Sequence, residues 1–311
     1  MGLARKLIHP KIHKMGEIVS KVLNRGTGIV IINVVNSNPN GDPDAESEPR
    51  TFESDSRGLI SPVSFKRKLR DLMENEAGAV RAAALAIPRP ADNRSFGILE
   101  SRGRDRKAIS AMKLADFRSA YWDARIFGNT FVEKKDEGRF ITTGVVQVGP
   151  GVSVAPIEVV RLTLTNKPGV EGDKDRGMAP LAFRVARHGL YVLPFFVNPS
   201  AAHKSGCDAH DIDIFKFLIP HAYSHTASGL RPEVHIVHAW YAEHLDPLGS
   251  CPDPLILAAM KPKRKPGFDP ETPSGSIDEY EIPTDLPPEL RSRLASFEDL
   301  CVRKWAMTAA A

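Results

Sequence analysis

The sequence is poor in cysteine: Cys207, Cys251 and Cys301 are the only three in 311 residues, far apart and without paired spacing. A disulfide framework and a cysteine zinc site are thereby excluded, and a reducing cytoplasm is the expected compartment. Long apolar runs are missing as well. No segment approaches the roughly 20 residues that cross a bilayer, and the basic stretch Met1 to Lys14 has no apolar core behind it, so neither a membrane partner nor export is expected. There is no glycine-rich phosphate loop, no nucleophile elbow and no His-Glu-x-x-His, which leaves a small-molecule enzyme without a foothold. His235 and His238 stand three apart on a predicted strand and face opposite sides, while His221 and His225 share a helical face but lack further ligands. They read as structural histidines, and no metal or other cofactor is expected. Charge of one sign is scarce too. Lysine and arginine number 42 against 38 acids, a net +4, so any case for a polyanionic partner has to rest on local clusters.

One such cluster follows the first apolar run. Gly28 to Val35 has the β-branched content of a strand covered on both faces, and Asn38-Pro39-Asn40-Gly41-Asp42-Pro43-Asp44, closed by Pro49-Arg50, turns the chain at its carboxyl end. Ser61-Pro62 then supplies an N-cap and a proline for the first helical position. Phe65, Leu69, Leu72 and Met73 recur at helical spacing and face a core, leaving Lys66, Arg67 and Arg70 on the flanks. Cations in a first turn oppose the helix dipole unless an anion lies nearby, and a polyphosphate fits that role; a solvated cationic face is the plain alternative.

Further along, Pro156 to Leu164, Gly189 to Val197 and Glu233 to Tyr241 read as strands, and Asp208 to Phe217 as a helix capped by Asp208. The predicted order βαββαβ is that of an α+β ferredoxin-like fold, the arrangement that underlies RNA-recognition modules, and 1–311 is read as a single domain. Three long insertions interrupt it: 74–120, with an alanine-rich helix over Ala77 to Ile87 and the run Arg102 to Lys107; 165–188, between two strands; and 246–276, an exposed basic loop around Lys261-Pro262-Lys263-Arg264-Lys265. Leu290, Leu294, Phe297 and Cys301 predict an amphipathic helical extension over 288–306.

Four motifs in order, namely Asn38 to Asp44 with Pro49-Arg50, Phe65-Lys66-Arg67-Lys68-Leu69-Arg70, Tyr121-Trp122-Asp123-Ala124-Arg125-Ile126-Phe127-Gly128 and Gly189-Leu190-Tyr191, resemble the backbone subunit of type I CRISPR surveillance complexes (Cascade, RAMP superfamily), most closely the I-C and I-B versions. The likeness spans roughly Gly28 to Tyr280. Two departures are visible. Tyr223-Ser224-His225-Thr226-Ala227-Ser228 keeps the histidine and serine of a family run but not its charged pair, and Asn129 to Arg139 looks like an insertion.

The resemblance implies a modified RNA-recognition palm with fingers, web and thumb, several copies of which polymerise along one CRISPR RNA (crRNA) and present it for pairing with target DNA. Partners would be crRNA, target DNA through the guide, further copies, and the crRNA-handle, large and small subunits. The implied role is a scaffold, not a catalyst. RNA held for pairing is gripped by its sugars and phosphates, so Asn38, Asn40, Gly41, Arg50, Ser64, Lys66, Arg67 and Arg70 form the implied RNA-binding set. For Ser64 a capping role, and for the Asn38 turn an ordinary tight turn, are the bland alternatives. Residues 165–188 take the place of the thumb. Met178, with Phe183 second, is the implied wedge between nucleotides, and Arg176, Arg184 and Arg187 are backbone clamps; packing of the hairpin on its own domain is the competing reading of Met178 and Phe183. The basic runs at Arg102 to Lys107 and Lys261 to Lys265 would touch target DNA or a neighbouring subunit, or merely solubilise a loop. The competing function is a metal-dependent endoribonuclease of the type III backbone kind, using Asp42 and Asp44 with Asp55. Against it, aspartates inside such a turn bond their own backbone.

Overall fold

The computed structural model describes residues 23–88, 93–101, 103–130, 141–166 and 179–302. Its centre is β1, Gly26–Ser37, whose run Ile29 to Ile32 and Val34 are buried on both sides of the sheet. Around it runs a mixed α/β architecture with one eight-stranded antiparallel sheet. The other strands are β2 (Arg57–Ile60), β3 (Val146–Val148), β4 (Gly151–Pro156), β5 (Val159–Asn166), β6 (Ala179–Val197), β7 (Val234–His244) and β8 (Leu294–Asp299). Their order is β8-β7-β1-β6-β4-β2, with β3 and β5 also pairing with β6.

Alternation along β1 sends Val30, Ile32 and Val34 to one face and Ile29 and Ile31 to the other. Helices α1 (Pro62–Glu74), α2 (Ala79–Leu85), α3 (Trp122–Phe127) and α4 (Ala209–Leu218) cover the first face. The second face is covered by α5, Asp253–Met260, and by the chain through Tyr280 and Leu286. A hydrogen-bond chain fixes the start of α5. Ser250 N donates to His244 Nδ1 at 3.0 Å, so the ring proton sits on Nε2 and reaches Thr27 Oγ1 at 3.0 Å; that hydroxyl donates to Asp253 at 2.5 Å, and Arg25 pairs with the same carboxylate.

The Tyr121 to Gly128 motif works as a clasp between helices. Arg125 and Asp211 are each 1% exposed and meet through two bonds of 2.9 Å, while Nη1 of Arg125 also donates to the carbonyls of Arg118 and Ser119. Two charges survive burial there because both are paired and hydrogen-bonded. Asp211 also completes the capping box with Asp208 at the start of α4. Gly128 ends α3 at φ 75°, where a Cβ would lie 2.4 Å from the Thr142 carbonyl oxygen, so only glycine fits.

The structure departs from the sequence reading in four places. The strand expected over Pro156 to Leu164 begins instead at Val159, and Pro156 ends a separate strand, Gly151–Pro156, in which it pairs with Arg57; the 19-residue β6 is long enough to pair with both strands. The helix expected over 288–306 is one short turn, Pro288–Arg291, followed by β8. The outer edge of β7 would otherwise be an unpaired ladder, and β8 closes it while placing Leu294 in the second-face core. The 246–276 segment is not simply a loop, since it contains α5, and Arg264 is folded between the Phe268 and Tyr280 rings and paired with Glu279. Finally, β7 carries a bulge opposite Ile31 and Ile32, which interrupts the alternation assumed for His235 and His238; His238 Nδ1 donates to the Asp299 carboxylate at 2.6 Å.

Asp211→Ala leaves the Arg125 guanidinium buried without its counter-charge, and the expected loss is about 3–5 kcal/mol of unfolding free energy in urea melts. A loss well under 1 kcal/mol would mean that the clasp does not hold α3 to α4.

Candidate nucleic-acid interface

The Asn38 turn is held by its own side chains. Asn38 is 4% exposed, and its amide donates to Ser47 O at 2.6 Å and to Arg184 O at 3.3 Å, while its backbone N–H bonds Leu230 O at 2.7 Å. Asn40 Oδ1 accepts from Ser61 N at 2.7 Å, which ties the turn to the start of α1. A Cβ on Gly41 would meet Ser47 O at 2.9 Å, so the residue is glycine because backbone approaches backbone there. Asp42 Oδ1 accepts from Asp44 N at 3.2 Å in an Asx turn and faces Arg50 at 3.4 Å, and Asp55 pairs with Arg57 at 3.1 Å. Among the described residues no three acids, histidines or cysteines gather as a metal site. Arg184 bonds Glu48 and lies 3.3 Å from Glu46, both in the turn, so its charge is balanced from within the chain.

Helix α1 starts where the sequence places it. Ser61 caps it by accepting from Ser64 N at 3.2 Å, Pro62 follows, and Phe65, Leu69, Leu72 and Met73 enter the core. Ser64, Lys66, Arg67 and Arg70 lie along a cleft of about 770 Å³ whose opposite wall is formed by Phe127 to Thr130, Ile141 to Gly144 and Gln147. The three cations differ sharply in what they already hold. Arg67 bonds Asp71 at 2.6 Å, pairs with Glu74, and donates to Glu100 O at 2.6 Å. Arg70 donates to the buried Asp123 at 2.8 Å. Lys66 has no carboxylate partner among the described residues; its ammonium sits 5.3 Å from the Phe127 ring centroid, beside Arg70 at 5.1 Å from the same ring. Burial, and after it the neighbouring Arg70, push the Lys66 pKa below the usual lysine value. An anion entering the cleft would relieve both costs.

The opposite wall was not singled out in the sequence as part of a site. Phe127 and Gly128 end a quoted motif, and their place beside Lys66 depends on α3 docking against α1. Of the hairpin residues, Met178 and Arg176 fall outside the described residues. Phe183 is half-buried on β6, and Arg187 is exposed and pairs with Glu158 at 3.0 Å. In the run Arg102 to Lys107, Arg104 bonds Leu99 O and Glu100, and Asp105 caps a short helix.

These features define an α/β protein with a large antiparallel sheet and a cation-walled cleft over one covered face. The family described as CRISPR-associated protein Cas7 matches residues 24–285. The chain belongs to that family, the RAMP-like backbone subunits of CRISPR surveillance complexes. Among solved structures it is similar to a chain of a CRISPR RNA-guided surveillance complex in a pre-nicking state, with 14% identity and a TM-score of 0.45 over 71% of this chain and 79% of that one. A second CRISPR RNA-guided surveillance complex gives 17% identity and a TM-score of 0.41 over 77% of each chain. The cryo-EM structure of the Type III-B Cmr-beta bound to cognate target RNA gives 10% identity and 0.39 over 71% and 61%. No curated protein matches the sequence.

Proposed function

We propose that this chain is the crRNA-binding backbone subunit of a type I surveillance complex, nearest the I-C and I-B kinds, and that it binds RNA without cutting it. Its sheet and first-face helices serve as an RNA-recognition palm; the strand order β7-β1-β6-β4 supports that reading. Copies polymerise along the guide in the cytoplasm and hold it for pairing with target DNA, alongside crRNA-handle, large and small subunits. The observation that carries the proposal is Lys66: a partly desolvated cation without an acid partner among the described residues, in the second turn of α1, in a cleft with room for a ribose-phosphate chain.

The remaining residues divide by what they hold. Lys66 and Ser64 meet the phosphates, with Arg67 and Arg70 shaping the wall and lending field. Asn38, Asn40, Gly41 and Arg50 set the turn beside the backbone path, and Arg184 joins the hairpin base to it. Met178, with Phe183 in reserve, is the wedge that unstacks a nucleotide, at a cost of about a few kcal/mol per step. Ordered Asx bonding of Asp42 favours this reading over the endoribonuclease one.

Lys66→Ala should weaken single-stranded RNA binding for all sequences alike and reduce the log K against log salt slope by about 0.7, the value for one lost phosphate contact. An unchanged slope removes Lys66 from the phosphate path. Met178→Ala should keep affinity within about threefold while altering the regular spacing of nuclease-accessible nucleotides; an unchanged pattern means another residue is the wedge. Asp42→Ala and Asp44→Ala should leave guide and target RNA as intact as the parent protein does with Mg²⁺ present. A cut made by the parent and lost in these variants would establish the endoribonuclease instead.

A further inference from the structure

The second face of the sheet is only partly roofed. Helix α5 covers the Ile29 and Trp240 region, but between α5 and strand β4 two adjoining hollows of about 470 and 380 Å³ remain, sharing Ala258 and Lys261 in their walls. The floor and walls are apolar: Ile29, Val152, Val192, Pro194, Leu257 and Ala258. Ala258 is exposed, and Val152, Val192, Pro194 and Leu257 are half-buried, so this is apolar surface left to water. The rim is cationic. Lys261 and Lys263 line it, both exposed and neither with a carboxylate partner among the described residues. Arg57 also borders the groove, but Asp55 and Glu271 already balance it.

We infer that this groove is a docking site for a segment of another protein chain, one that presents apolar side chains flanked by carboxylates. The apolar floor offers nothing to a sugar-phosphate chain, which needs donors along its whole path, whereas it gains directly from aliphatic or aromatic anchors. Charge narrows the occupant further. The chain's own terminal segments are ill-matched: 1–22 carry Arg5, Lys6, Lys11, Lys14 and Lys21 against Glu17 alone, and 303–311 carry Arg303 and Lys304 with no acid. Both would set like charge beside Lys261 and Lys263. An acidic partner gains on encounter and in register from the same two lysines. The wall is also rigid, since the Thr27–His244–Asp253 chain anchors the start of α5. The inference needs the assembly assumed under the proposed function but not the RNA path through the Lys66 cleft.

The test places a photo-reactive p-benzoylphenylalanine at position 258, an exposed helical site, in the chain carried within its affinity-purified ribonucleoprotein assembly. The crosslinked peptide is then identified by mass spectrometry. The expected product joins position 258 to another protein at a stretch containing both apolar and acidic residues. Lys261→Glu with Lys263→Glu should cut its yield about tenfold, while Lys265→Glu, which lies off the groove, should not. Crosslinks to RNA, to a second copy of this chain, or to nothing would overturn the inference, as would equal yields from the paired and control variants. The RNA content of the same preparation is read separately, so loss of the guide and loss of the docked protein cannot be confused.

Discussion

Arg70 meets Asp123 at 2.8 Å, and the carboxylate it meets is 1% exposed and already accepts the backbone N–H groups of Leu99 at 2.7 Å and Glu100 at 3.2 Å. A buried carboxylate with three donors is a fixed point, and Arg70 spends its charge there. The consequence reaches across the cleft. Because α1 is tied to α3 by that bond, the Phe127 ring is carried under Lys66, and the wall from Phe127 to Thr130 is held opposite the first turn of α1. Arg67 is consumed in the same way by Asp71 and Glu74. What reads in the sequence as a block of three equivalent cations is therefore two arginines paired within the chain and one lysine without a carboxylate partner among the described residues.

The turn after β1 follows the same logic with backbone in place of charge. Asn38, Asn40 and Gly41 are chosen by what they touch inside the chain, and the backbone groups they satisfy are the carbonyls of Ser47 in the loop and Arg184 on β6 and the N–H of Ser61 at the start of α1. A motif of this kind holds the loop still against β6 and the start of α1. The two faces of the sheet then divide the work: helices and their buried ion pairs close the first and shape the cleft, while the second keeps an apolar strip beside α5.

Much of this was legible without coordinates. The β-branched run, the Ser61-Pro62 start of α1 and the Asp208 cap of α4 are local signals, decided within a few residues, and each element lies where its signal puts it. The failures are non-local. Leu290, Leu294 and Phe297 fit a helical period, but an unpaired edge of β7 lies beside them, and ladder bonds to it outweigh the period. Likewise no spacing rule reveals that Asp123 lies beside Arg70 or that Glu48 bonds Arg184, since those partners are brought together by helix and strand docking. The cations of α1 were therefore legible as a cluster on one helix, and not as a division between the arginines that pair within the chain and the lysine that has no carboxylate partner among the described residues.

Ultraviolet crosslinking of the purified ribonucleoprotein, with the modified peptides mapped by mass spectrometry, asks whether a ribose-phosphate chain runs through the cleft between α1 and the Phe127 wall. If it does, RNA adducts concentrate in peptides containing Lys66 and Phe127 to Thr130. Adducts confined to the second face around Ala258, with none along α1, would place the RNA elsewhere.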